Sequence, residues 1–160
     1  MAEAVVEIVG FVISILVCQA AGFIGSIFTA PAIPAWYKKL KKPSFAPPNK
    51  AFAPVWISLY TLMGISLYLV LRVGLGNPQV QLGLVIFCAQ LALNVAWSYV
   101  FFGRRSIRGG LASIVALWVS ILLAIISFLS VSTLAGLLLV PYIVWTSVAT
   151  LLNYSIMKLN

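Results

Sequence analysis

The 160-residue chain is 63% hydrophobic and 8% charged, with a mean hydropathy of +1.14. A soluble domain carries about 25% charged residues, so this one could not cover itself in water, and its solvent must be lipid. The formal charge of +8 comes from ten Lys/Arg against Glu3 and Glu7, with no His; in lipid that excess reads as contact with anionic headgroups and orientation bias, so no nucleic-acid partner is expected.

A helix needs about 20 apolar residues to cross the hydrocarbon core. Five charge-free runs qualify, 8–28, 52–71, 80–102, 111–129 and 134–157. They predict one all-α integral membrane domain over 1–160, a bundle of five transmembrane helices. The first run is read as a retained helix. Ala30-Pro31-Ala32 resembles a cleavage site, but the preceding segment is acidic and the run exceeds the roughly 7–15 residues of a signal core. Ala21/Gly25 and Gly22/Ser26 give it small faces for close packing. Cys18 and Cys88 lie within apolar runs and are read as buried packing residues.

The connection 29–51 is the only long one, and loops of that length without their own structure are functional or disordered. Between 36 and 56 stand five lysines, four prolines and five aromatics (Trp36, Tyr37, Phe45, Phe52, Trp56), which oppose disorder. The segment reads as a lid leading into Trp56, with lysine–headgroup anchoring as a compatible second role. Helix two has Pro54 in its first turn, where a missing N–H is harmless. From its position, Trp56 is either an aromatic-belt residue or part of a site.

The next joints are short. Residues 72–79 hold Gly74, Gly76 and Asn77-Pro78, a turn signal; 103–110 hold Arg104, Arg105 and Arg108; 130–133 make helices four and five antiparallel neighbours. Five spans place the first loop, the third loop and Lys158 on one side, with nine positive charges against Arg72 and the two acids opposite. The positive-inside rule then puts the N-terminus outside and the C-terminus in the cytoplasm.

Helix three carries Gln90, Asn94 and Ser98 at four-residue steps, one face of a helix. Amides in lipid without partners cost about a few kcal/mol each, so this face should point inward. Gln90 is expected to make an interhelical hydrogen bond. For Asn94 and Ser98, beside Trp97, packing and pocket wall both stand. The stripe Cys88, Ala92, Ala96 allows close approach within the fold or across a homodimer. Helix four repeats Ser113, Ser120 and Ser127, with Ala116 and Ala124 between. In helix five Pro141 should kink the start, which leaves Trp145 about 16 Å into the membrane at 1.5 Å per residue, on one face with Ala149 and Asn153.

No nucleophile–base pair, paired carboxylates, metal-ligand cluster or phosphate-binding glycine loop is present in the sequence, and no cofactor is expected. No span contains an ionisable acid or base, which weighs against ion-coupled transport. An apolar aromatic cavity with a few amides under a basic lid suits a flat hydrophobic ligand with an acidic edge.

The residues Trp36-Tyr37, Leu40, Lys42-Pro43, Pro47-Pro48, Pro54-Val55-Trp56, Leu59-Tyr60 and Met63-Gly64 resemble the translocator protein family, also called TspO/MBR, the tryptophan-rich sensory proteins and the peripheral benzodiazepine receptor. The match continues through 90–94 (Gln-Leu-Ala-Leu-Asn), Trp97, 101–103 (Phe-Phe-Gly), Pro141-Tyr142, Trp145, Ala149-Thr150 and 152–154 (Leu-Asn-Tyr). The resemblance implies a five-helix membrane protein, often dimeric, that binds porphyrins such as protoporphyrin IX and synthetic benzodiazepine-type ligands under the first loop. It further implies membrane lipid or sterol as a partner, with a cholesterol- or lipid-binding transporter as the alternative function. Trp56 and Trp145 are similar to the pair implicated in light-dependent porphyrin degradation, which leaves enzyme activity open. Tyr37, Pro47, Asn94, Trp97, Ser98 and Ala149 correspond to pocket-lining positions. Leu152, Tyr154 and Lys158 satisfy a loose sterol pattern. Phe45 departs from the family's usual Trp. A bacterial or archaeal plasma membrane is expected, with the mitochondrial outer membrane the other location the family implies.

Overall fold

The structure, a computed structural model, describes residues 2–160. Its helices are α1 (Ala2–Ala35), α2 (Phe52–Leu71), α3 (Pro78–Ser98), α4 (Ile107–Leu129), α5 (Thr133–Leu138) and α6 (Val140–Leu159), with no strands among the described residues. Five helical spans are long and apolar enough to cross a membrane; α5 and α6 together make the fifth. Side chains such as Val6, Ile8, Phe23, Leu82 and Leu151 face outward, the arrangement of a bundle whose solvent is hydrocarbon.

The helices form a ring. α1 lies against α2 and α3, α3 against α4, α4 against α5 and α6, and α2 against α5. Two glycines set how closely α1 and α2 approach. A Cβ on Gly64 would stand 2.5 Å from Ile15 Cα, and one on Gly22 would stand 2.4 Å from the Tyr60 ring. Without side chains there, the backbones meet closely enough for dispersion contacts to hold the pair in lipid.

α1 runs seven residues beyond the apolar run that predicts it, through Pro31 and Pro34. An interior proline removes one N–H and crowds the preceding turn, yet the helix continues through both prolines, and Trp36 N still closes on Ala32 O at 2.9 Å. The first connection is therefore shorter than 29–51, and Thr29, Ala30 and Ile33 belong to a helical wall. The kink expected at Pro141 is present as the break between α5 and α6. α3 ends in a π turn, Tyr99–Gly103, which widens the helix and turns Phe101 and Phe102 inward together, 2% and 3% exposed.

The amide face of α3 points inward as expected: Gln90, Asn94 and Ser98 are all buried. Gln90 does not make the expected interhelical hydrogen bond, since neither amide atom has a partner. Cys18 is buried, whereas Cys88, expected inside, lies on the outer face, where a thiol of apolar character meets lipid without cost.

Candidate functional site

Between α1, α2 and the end of α3 lies a cavity of about 510 Å³, within the roughly 300–1,000 Å³ range of small-molecule sites. Trp56, Tyr60, Asn94, Trp97 and Ser98 form its inner wall; Phe23, Ser26, Ala53 and Ile57 form its rim. The rim residues are exposed, so the cleft opens sideways between α1 and α2 toward the lipid. Gln19 braces this opening by donating through Nε2 to Ile57 O and Thr61 Oγ1, both at 3.0 Å.

The wall is aromatic. Trp56 stacks on Tyr60 with ring centroids 5.6 Å apart, and its ring lies 6.1 Å from Trp97 and 6.2 Å from Tyr142. Behind these rings a chain of polar contacts fixes the floor. Tyr60 Oη donates to Asn94 Oδ1 at 2.6 Å, and Asn94 Nδ2 donates to Tyr142 Oη at 2.7 Å. Trp97 Nε1 donates to Asn153 Oδ1 at 3.2 Å. Asn94 is thus both a wall residue and a link joining α2, α3 and α6, so the packing and pocket readings both apply to it.

A second, much smaller space of about 10 Å³ lies deeper, among Tyr37, Phe52, Trp97, Ala149 and Asn153. It is close to the size of one water. Tyr37 is 2% exposed and its hydroxyl has no partner, and Asn153 Nδ2 is likewise unpaired. Burial pushes the Tyr37 phenol up to about 12, so it remains a neutral donor at any physiological pH.

The predicted site residues therefore fall into separate places. Trp56, Asn94, Trp97 and Ser98 line the large cleft; Tyr37 and Ala149, with Trp97, line the inner chamber. Trp145 borders neither space and packs on Phe52 at 6.2 Å, with Nε1 buried and unpaired. Pro47 is half-buried in the first connection, on neither wall. Leu152 faces the inner chamber, whereas Tyr154 is exposed with Lys158 5.7 Å above its ring. These three do not share one surface. Phe45 is exposed at the loop tip and touches neither space. Phe52, Tyr60 and Gln19 were not singled out by sequence as site residues. Tyr60 follows Trp56 by one helical turn, the spacing that could have found it.

The basic segment is fastened down. Lys42 Nζ donates to Tyr37 O at 2.8 Å and Leu40 O at 3.0 Å and sits 4.7 Å over the Tyr37 ring; desolvation lowers its pKa. Asn160 accepts from Lys41 N at 3.1 Å and donates to Lys41 O at 3.0 Å. Lys42 is thus occupied in holding the turn. Lys50 is exposed and is the lysine closest in sequence to the cleft lining, following Asn49 and preceding Phe52.

A family model described as the TspO/MBR family matches residues 14–159. Among similar proteins, the tryptophan-rich protein TspO of Chlorobaculum tepidum is 44% identical over 96% of this chain and 98% of its own length. That of Archaeoglobus fulgidus is 41% identical over 96% and 99%. The human translocator protein is 36% identical over 86% and 82%.

Proposed function

The chain belongs to the TspO/MBR family of multi-pass membrane proteins, and from that premise we propose that it binds a flat tetrapyrrole of the protoporphyrin IX kind in the cleft between α1, α2 and α3. The observation that carries this reading is the cleft itself, about 510 Å³ with Trp56, Tyr60 and Trp97 on one wall and the hydroxyl of Ser98 beside them. A planar ring entering from lipid would lie against the Trp56 face, its apolar area replacing hydrocarbon contacts with aromatic stacking. Its acidic edge would point to the mouth, where Lys50 supplies positive charge at the headgroup level. Sensing, carrying and light-dependent breakdown of the ring all begin with this binding step.

Tryptophan fluorescence during protoporphyrin IX titration in lipid nanodiscs tests it. Saturable quenching that weakens in Trp56→Phe is expected. Absence of saturable quenching, or quenching that Trp56→Phe leaves unchanged, would count against the site. Under illumination, a new absorbing product that needs Trp56 and Trp145 would extend binding to degradation; bleaching equal to that of free porphyrin would confine the role to binding.

The lipid-facing rim favours one second reading, a sterol or other lipid taken from the bilayer. It predicts protein-dependent transfer between vesicles that persists in Trp56→Phe, because an aliphatic ligand does not need the indole face.

A further inference from the structure

The outer cleft and the inner chamber share three lining residues, Phe52, Trp97 and Phe102. Two of these are pinned. Trp97 is stacked on Phe101 with planes 10° apart and is hydrogen-bonded through Nε1 to Asn153. Phe102 is set edge-on against Phe101 at 4.8 Å within the π turn. Phe52 is held differently. It is the first residue of α2, it follows the single 3₁₀ turn Asn49–Ala51, and no side chain caps that helix start. Its ring makes edge contacts only, at 6.0 Å to Tyr37 and 6.2 Å to Trp145.

The chamber beyond that ring is chemically unfinished. Two of its lining residues, Tyr37 and Asn153, carry buried polar atoms without partners, Tyr37 Oη and Asn153 Nδ2. Each such orphan costs about 1–3 kcal/mol, and native proteins rarely leave several together unless a water or a ligand completes them. Both groups can donate, so a water, for which the space is just large enough, or an acceptor oxygen on a ligand would complete them.

We propose that Phe52 is a movable partition and the residue that sets the size and polarity of ligand the site admits. With its ring in place a ligand is confined to the outer cleft. With it displaced, cleft and chamber merge, and a planar ring bearing a carbonyl or carboxylate oxygen at its edge reaches the donors of Tyr37 and Asn153. This assignment rests on the ring-binding reading for its ligand but not for the partition.

Thiol labelling decides the partition without any ligand. Ala149 lines the chamber and is small, so Ala149→Cys in a Cys18→Ala/Cys88→Ala background reports entry of N-ethylmaleimide in nanodiscs. If the displaced state is the minor one, at or below about 10% of molecules, Phe52→Ala or Phe52→Leu should label about tenfold faster or more than the Phe52 protein. Two substitutions guard against a misfolded variant, and unfolding midpoints identify one. Equal rates in folded variants overturn the partition. Protoporphyrin IX titration then decides the ligand half: Tyr37→Phe should weaken binding more in the Phe52→Ala background than alone. Equal effects in both backgrounds overturn it. A porphyrin that the unsubstituted chain does not bind sinks the ring-binding reading, and the labelling rates still decide Phe52.

Discussion

At the scale of single residues, two neighbouring amides on one helix face separate what the pattern conveys from what it does not. The four-residue spacing of Gln90 and Asn94 points both inward, and both are 1% exposed. Spacing does not reveal whether a partner stands opposite. Asn94 meets Tyr60 and Tyr142, whose hydroxyls arrive from α2 and α6, while Gln90 meets no polar atom. The two should therefore respond oppositely to the same change. Asn94→Leu strands two tyrosine hydroxyls and should lower the unfolding free energy by about 1–3 kcal/mol. Gln90→Leu removes two orphaned atoms at similar volume and should be neutral or stabilising. Denaturant titration in mixed micelles measures both, and a loss for Gln90→Leu equal to that for Asn94→Leu would contradict the assignment. Tyr37 gives a pH signature. Its phenol is held near 12 against an ordinary value of 10, so the folded state keeps the proton longer than the unfolded one. Its contribution is intact below pH 10 and is lost as pH rises from 10 toward 12. The difference in melting temperature between the unsubstituted protein and Tyr37→Phe should change across that window only, with the phenol-bearing protein falling.

Among the elements, hydropathy located all five spans, because a lipid solvent demands long apolar runs and little else satisfies it. It stopped α1 too early. The apolar run ends at 28, yet the helix continues through Pro31 and Pro34, and the packing of Ala32 and Tyr37 holds the added turns. That extension matters because Thr29 and Ile33 line the cleft. The α1–α2 seam that frames the cleft was legible only as small residues with no stated partner. The structure gives Gly64 to Ile15 and Gly22 to Tyr60. At Gly64 the facing atom is backbone and cannot move aside, so Gly64→Ala should separate the helices and cost about 1–3 kcal/mol. At Gly22 the facing atom is a ring, so Gly22→Ala should instead push Tyr60 off Trp56 and Asn94. The expected reading is a modest stability loss with a clear change in tryptophan emission and weakened protoporphyrin IX quenching. A Gly22→Ala protein with unchanged emission would show that the ring has room that the structure denies it.

For the whole molecule, the two ends of the bundle are chemically distinct, and side-chain contacts tie each together. At one end Asn160 clasps the Lys41 backbone, which places the chain's last residues beside the five lysines of the first connection. At the other, Glu7 pairs with Arg72 at 3.0 Å and accepts from the Tyr68 hydroxyl, with Arg72 5.7 Å over the Tyr68 ring. The only two acids lie in the helix of which Glu7 is part, so the lone cation of that end is largely neutralised while the nine at the other are not. A charge difference this lopsided is what orients a chain during insertion, and the positive-inside expectation is that Lys50, beside the cleft-lining Asn49, lies on the cytoplasmic side. On the proposed binding mode, the ligand would then enter from the cytoplasmic leaflet, with its acidic edge toward Lys50 and its ring in lipid. In sealed cells, with Cys88→Ala as background, a membrane-impermeant maleimide should leave Lys50→Cys unlabelled until the membrane is opened, and should label Gly76→Cys at once. The reverse pattern would invert the bundle and move the entry of ligand to the opposite leaflet. Labelling of both sites in sealed cells would indicate two insertion orientations, which a nine-to-one charge bias does not allow.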